Sequence, residues 1–202
     1  LFKDLWQQTA YGRDDIQYAK GKDFDTLMMN GIDLLTAWYH KLPDDDFKVI
    51  GIEEAFSFNL PGVSVPIIGA IDLAEEDDGT IIITDFKTSS RAYSIDEIDN
   101  NMQMTVYQLA AKANGFGGRE ILLRFDCLIK TKTPKFEQYY TTRSAVDELR
   151  LIRKIEKVWE GISKGIFIPN DTTWKHKNCA YRKICDEWFL NGGETDDKAC
   201  NQ

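Results

Sequence analysis

Apolar positions along the chain change their period several times, and each change marks an element. Phe24, Leu27, Met28, Leu34, Leu35, Trp38 and Tyr39 recur at helical spacing and predict an amphipathic helix over residues 23–40. Asp23 and Asp25 both stand where its N-cap belongs. Pro43-Asp44-Asp45-Asp46 breaks the pattern as a loop. Three strand-like runs follow, over 47–58, 64–74 and 80–88. Pro61-Gly62 separates the first pair and Asp78-Gly79 the second. Residues 95–113 return to helical spacing and end at Asn114-Gly115, a C-cap. The runs EILLRFDCLIK (120–130) and FEQYYTT (136–142) predict two further strands around a loop containing Pro134. A long charged helix over 144–161 ends at Gly161. The chain from Ile166 reads as irregular, with one short helix near 180–189. This order gives an α/β sandwich with a mixed central sheet flanked by helices. A length of 202 residues suits one domain, with a core at about 47–142 and a C-terminal helix and cysteine-containing tail over 144–202.

Two of the strand runs carry charges at places where burial makes charge costly. Asp72 interrupts Ile67–Leu73, and Asp85 and Lys87 close Ile81–Lys87. Asp78-Gly79 favours a two-residue type I′ turn. Counting outward from that turn pairs Asp77 with Thr80, Glu75 with Ile82 and Asp72 with Asp85. Lys87, two residues beyond Asp85, points to the same face. Two carboxylates about 5 Å apart at an effective dielectric near 20 repel by roughly 3 kcal/mol. A divalent cation would offset that repulsion, because oxygen ligands at this spacing suit magnesium or manganese. Lys87 alone would also offset it, and a longer turn would change the register.

The motifs around these residues resemble those of the PD-(D/E)xK nuclease superfamily, and in particular its RecB-like exonuclease branch, related to CRISPR-adaptation and phage exonucleases. Gly69-Ala70-Ile71-Asp72 matches Gly-x-(Ile/Val)-Asp, and Asp85-Phe86-Lys87-Thr88 matches Asp-x-Lys-Thr. Gln103-Met104-Thr105-Val106-Tyr107 supplies the following Gln-x-x-x-Tyr helix. Glu53-Glu54-Ala55-Phe56 supplies the upstream Glu-x-x-Phe strand, and Phe167-Ile168-Pro169 with Cys179 to Cys185 resembles the tail. Asp-x-Lys alone is a weak signal; five motifs in order are a strong one.

The resemblance implies a restriction-endonuclease-like fold and a magnesium- or manganese-dependent deoxyribonuclease. Asp72 and Asp85 would bind the metal, with the Phe86 carbonyl as a further ligand. Lys87 would stand beside the attacking water or the phosphate. Glu53 matches the family's position for a metal or water partner, and a solvated edge glutamate is the plain alternative. Gln103 and Tyr107 share a helix face and would support the site, the plain alternative being an ordinary buried face. The family's first motif, Gly-x-x-x-His, stands here as Gly21-Lys22-Asp23-Phe24-Asp25. Asp25 replaces the histidine and is either a metal ligand or a helix cap. The implied role is an exonuclease in DNA repair, recombination or phage DNA metabolism, cytoplasmic and prokaryotic or phage-encoded. Its partners would be double-stranded DNA ends or a single strand, together with proteins of a repair or recombination complex. A catalytically weak or inactive DNA-binding module, or a site-specific endonuclease, would share the same core motifs.

Composition adjusts this picture in two ways. The net charge of −8 argues against a nucleic-acid binder, but its distribution does not. Residues 1–102 carry a net −12, residues 103–192 a net +6 and the last ten −2. Lys130, Lys132, Lys135, Arg143, Arg150, Arg153, Lys154 and Lys157 are therefore candidates for a phosphate path. Tyr139, Tyr140 and Trp174 are candidates for base stacking. The plain alternative is a solvated helix face of mixed charge. The four cysteines are too few for a disulfide scaffold, and no apolar run approaches a membrane span, so an intracellular protein is expected. Relatives with an iron–sulfur cluster place one cysteine before the nuclease core, whereas the first here is Cys127. A cluster is thus not expected in this chain. His176, Cys179, Cys185 and Cys200 lack standard zinc spacing, and buried thiols are expected in the tail.

Overall fold

A computed structural model describes residues 1–171 and 179–192. Its contacts divide into two compact units, Leu1–Glu156 and Lys157–Gln202. The first unit is built on a five-stranded sheet in the order β1-β2-β3-β4-β5. The strands are β1 (Lys48–Phe58), β2 (Ile67–Asp77), β3 (Thr80–Ser89), β4 (Ile121–Ile129) and β5 (Lys135–Thr141). Only β3 and β4 run parallel; the other neighbours are antiparallel. A parallel pair needs a crossover, and here it is supplied by α3 (Ile95–Asp99) and α4 (Met102–Ala111).

Helices α1 (Phe2–Ala10) and α2 (Phe24–Tyr39) precede the sheet. Asp23 caps α2 by accepting a 2.7 Å hydrogen bond from the Thr26 amide, which settles the choice between Asp23 and Asp25. Helix α1 has no counterpart among the expected elements. It is held by Trp6, whose indole donates to the Phe24 carbonyl, and by Phe2, whose ring lies where a Cβ on Gly31 would stand. Leu35 and Trp38 of α2 line a cavity of about 260 Å³ with Phe86, Leu128 and Phe136. Asp85 and Lys87, by contrast, bond to α4. Alternation along β3 therefore puts α2 and α4 on opposite faces of the sheet.

The core is the β3–β4 pair. Ile81, Ile83, Leu123 and Phe125 are fully buried, as is Met104 of α4. On the opposite face of the sheet one buried ionic group ties β2 to β4. Arg124 contacts Glu75 at 2.8 Å and Asp126 at 3.1 Å. Burial pushes both carboxyls upward, and Arg124 opposes that shift.

The single helix expected over 95–113 is two. Ser94 and Glu97 form a reciprocal capping box at the start of α3. Asn101 then caps α4, accepting from the Gln103 and Met104 amides. Arg143 takes the carbonyls freed at the break, donating to Ile98 O at 2.8 Å and Asn101 O at 3.2 Å. Beyond Ala111 a wide π-helical turn over Lys112–Phe116 ends the helix, with Gly115 at φ 106°. The expected Asn114-Gly115 stop is thus present.

The C-terminal elements are α5 (Ala145–Ser163), which runs from the first unit into the second, and α6 (Arg182–Leu190). Among the described residues no helix is long and apolar enough to cross a membrane. Cys179 is exposed and Cys185 half-buried, which corrects the expectation of buried tail thiols. The short helix gives them no core to enter: α6 has no buried residue. Trp174, His176 and Cys200 lie outside the described residues.

Candidate active site

The hairpin that carries the two aspartates folds as the turn chemistry dictates. Asp78 and Gly79 both adopt positive φ, 40° and 90°, as a type I′ turn requires. The ladder runs from Asp77↔Thr80 to Leu73↔Thr84 in the register counted from the turn. It stops one step short of Asp72 and Asp85. There the Phe86 amide leaves the ladder and donates to Asp72 Oδ2 at 2.9 Å. Asp72 thus closes the end of the β2–β3 pairing with its side chain.

On the other edge of β2, Ile52↔Leu73 and Glu54↔Ile71 bracket a position where Glu53 would face Asp72. Glu53 breaks the ladder there with a φ of 50°, unusual for a residue with a side chain. It is exposed and has no hydrogen-bond or ion-pair partner among the described residues.

Asp85, 1% exposed, is the centre of a closed ring. Its Oδ2 contacts the Lys87 ammonium at 2.5 Å, and Lys87 donates to Gln103 Oε1 at 2.8 Å. Gln103 Nε2 donates to the Tyr107 hydroxyl at 2.8 Å, which returns to Asp85 Oδ1 at 3.2 Å. The ring fixes the orientation of the Gln103 amide, because its oxygen must face the ammonium and its nitrogen the phenol. The Asn101 cap puts Gln103 and Tyr107 in this place: it starts α4 just before Gln103, and the four-residue spacing brings Tyr107 onto the same face. Phe56 packs edge-on against Tyr107, with ring centroids 6.0 Å apart. Its ring also covers Gly69, where a Cβ would come within 2.5 Å of it, so the motif glycine is needed for close approach.

The electrostatics follow from burial. Burial raises the Asp85 carboxyl above its ordinary range; Lys87 pulls it down, and the neighbouring charge of Asp72 pushes it further up. Burial and Asp85 raise the Tyr107 hydroxyl, so it stays protonated and remains a donor. Cys127 stands beside Lys87 in the β3–β4 register, fully buried, and burial pushes its thiol up to about 12. It is no nucleophile there.

A divalent metal is tested by the oxygens this arrangement leaves over. Asp85 Oδ2 is buried and accepts no hydrogen bond of good geometry, its one partner being the ionic contact with Lys87. Asp72 uses Oδ2 for the Phe86 amide and keeps Oδ1. Hard carboxylate oxygens of this kind fit Mg²⁺ or Mn²⁺. A third acidic ligand is not gathered: no group of three or more His, Cys, Asp or Glu side chains suited to a metal exists among the described residues. Glu53 is not drawn in, and Asp25 is exposed in the first turn of α2.

The expected phosphate path divides. Arg143 is buried and bonds Thr105, Thr141 and the carbonyls of Ile98, Asn101 and Thr142, so it serves the fold and leaves the set of phosphate contacts. On α5, Arg150 pairs with Asp147 and Arg153 with Glu156. Further along, Lys157 pairs with Glu160. These charges are neutralised on their own helix. The arginine's structural role had a legible sign in its sequence position, next to the Thr141-Thr142 strand end, but nothing local predicts that it caps a break 42 residues away.

Among curated proteins no sequence matches this chain at a significant level. Among solved structures, a candidate exonuclease from Eubacterium rectale is similar over 84% of this chain and 64% of its own, with 12% identity and a TM-score of 0.56. The chain thus spans less than two thirds of that protein. The protein SSO0001 matches over 80% of this chain and 70% of its own, with 16% identity and a TM-score of 0.45. The sheet order and flanking helices are those of the restriction-endonuclease-like fold. The family model for the PD-(D/E)XK nuclease superfamily matches residues 1–186, and the chain belongs to that superfamily.

Proposed function

We propose that this chain is a Mg²⁺- or Mn²⁺-dependent deoxyribonuclease of the RecB-like kind, cutting from DNA ends in repair, recombination or phage DNA metabolism. The observation that carries this reading is the ring of Asp85, Lys87, Gln103 and Tyr107 with Asp72 at its side. Asp72 and Asp85 would hold the ion, with the Phe86 carbonyl as a further donor. The ion supplies a Lewis acid for the phosphate and lowers the pKa of a bound water.

The chain's own residues do the rest. Asp85 and Gln103 hold the Lys87 ammonium from two sides, so its charge is fixed before substrate arrives. A fixed positive charge beside the phosphate stabilises negative charge as it develops in the transition state. Tyr107 holds Asp85 Oδ1, and Oδ2 meets only the Lys87 ammonium, so Oδ2 is the oxygen that an ion beside Lys87 would share. Gln103 is the positioning residue for both. End-directed cutting agrees with the exonuclease to which the fold is similar.

The test is a set of incubations with linear, covalently closed circular and single-stranded DNA, in Mg²⁺, in Mn²⁺ and in chelator. The expected result is progressive shortening of linear DNA in metal, with closed circles intact and nothing cut in chelator. Circles cut as fast as linear DNA would instead identify an endonuclease. Binding without cutting in either metal would identify a DNA-binding module that has lost turnover.

A further inference from the structure

Several cations of the first unit are spent on acids. Lys112 pairs with Glu148, Arg119 with Glu76, Arg91 with Glu97, and Arg150 and Arg153 with acids on their own helix. The β4–β5 connection is different. Lys130, Lys132 and Lys135 are all exposed, and none has an ion-pair partner among the described residues. Acidic residues number 33 in 202, yet none falls between Asp126 and Glu137, and none between Asp85 and Asp96. The fold joins these two acid-free runs. The Lys130 amide donates to Ser89 O at 2.7 Å, and its ammonium lies 3.4 Å from Thr88 Oγ1. The tip is held in shape by the Thr131 amide on Ile129 O, by the Thr131 hydroxyl on Thr133 O, and by Pro134.

We infer that this three-lysine tip grips the backbone phosphates of the DNA strand that lies against the active site. The inference rests on the nuclease reading above. Thr88 and Ser89 follow Lys87 directly on β3, and a strand rises about 3.3 Å per residue. The tip is therefore anchored roughly 7 Å from the Lys87 backbone, about two steps of a DNA strand that rises 3.4 Å per nucleotide. It also stands at the carboxyl end of the parallel β3–β4 pair, where open α/β sheets bind their ligands. Lysines without an acidic partner supply the charge, and the hydroxyls of Ser89 and Thr133 are of the kind that bond phosphate oxygens. An acidic protein gains a local landing place for a polyanion by clearing acids from one end of its sheet.

The measurement is affinity for a short duplex with a fluorescent end, in Ca²⁺ to hold cutting back, over a series of salt concentrations. Replacing Lys130, Lys132 and Lys135 together by glutamine should weaken binding by about an order of magnitude and flatten the log–log salt slope by about 2–3. The rate at saturating DNA in Mg²⁺ should stay as in the wild type, because the lost contacts hold substrate and transition state alike. Replacing Lys3, Lys20 and Lys41 by glutamine makes the same change of charge elsewhere and should leave the slope unchanged. A tip variant with wild-type affinity and slope overturns the inference, as does an equal loss in both triple variants. Because binding is read without cutting, a protein that binds through the tip but never cleaves sinks the nuclease reading alone.

Discussion

Asp85 is the residue on which the site turns, because it is buried, charged and bonded on both oxygens' sides. Its folded pKa is raised by burial. A raised carboxyl favours the native state at low pH, and that advantage fades as pH climbs from the unfolded value of about 3.9 through the folded one. In metal-free protein, Asp85→Asn should therefore lose cleavage while its unfolding midpoint equals or exceeds that of the wild type. The gap should widen between about pH 4 and neutrality; a variant that grows relatively less stable over that range would contradict the burial argument. Tyr107→Phe removes one bond to Asp85 and one from Gln103. It should lower the rate at saturating DNA more than it changes affinity, and a pure affinity loss would show that Tyr107 serves only the core. At this scale the sequence was informative for a physical reason. The two φ-positive turn residues Asp78 and Gly79 fix the register, and the register fixes which side chains meet. Glu53 escaped the same reasoning because its positive φ breaks the alternation that strand arguments assume.

The break between α3 and α4 is the element-scale feature that aims the site. Arg143 satisfies the carbonyls on both sides of it and anchors Thr105 and Thr141. Arg143→Ala removes a donor from each of these buried acceptors and should cost about 2–3 kcal/mol in chemical denaturation. Asn101→Ala should cost about 1 kcal/mol and should also lower cleavage, since Gln103 stands in the first turn that the cap sets. Stability loss with full activity would show that the break does not orient α4. Gly69→Ala should act on the same helix from the sheet side, by displacing Phe56 against Tyr107. The helical period over 95–113 is readable in the sequence and hides the break. Its signs were present in Ser94-x-x-Glu97 and in Asn101, and a continuous apolar face outweighed them. Helix α1 has its own sign in the helical spacing of Phe2, Leu5, Trp6 and Ala10; what the sequence does not show is that Phe2 and Trp6 dock on Gly31 and Phe24.

On the proposed reading, the same residues would make folding and metal binding one equilibrium over the whole molecule. The charge of Asp72 pushes the Asp85 carboxyl up, a cost that an ion held by both would offset, so Mn²⁺ at about 100 times its Kd should stabilise the wild type by about 2.7 kcal/mol. Asp72→Asn/Asp85→Asn should show none of that gain. The polarised charge seen along the sequence does not become one basic face. Arg143 goes inside, the α5 arginines pair locally, and Lys154 of α5 and the lysines of the β4–β5 tip remain without an ion pair among the described residues. That sorting depends on contacts between distant segments, which composition does not record. The most direct test of the account is single-turnover cleavage of linear DNA in Mn²⁺ by the wild type and by folded Asp85→Asn and Lys87→Ala variants. The account predicts metal-dependent cutting by the wild type, a loss of about 10²–10³-fold for Lys87→Ala, and a loss at least as large for Asp85→Asn. Wild-type rates in both folded variants would contradict it.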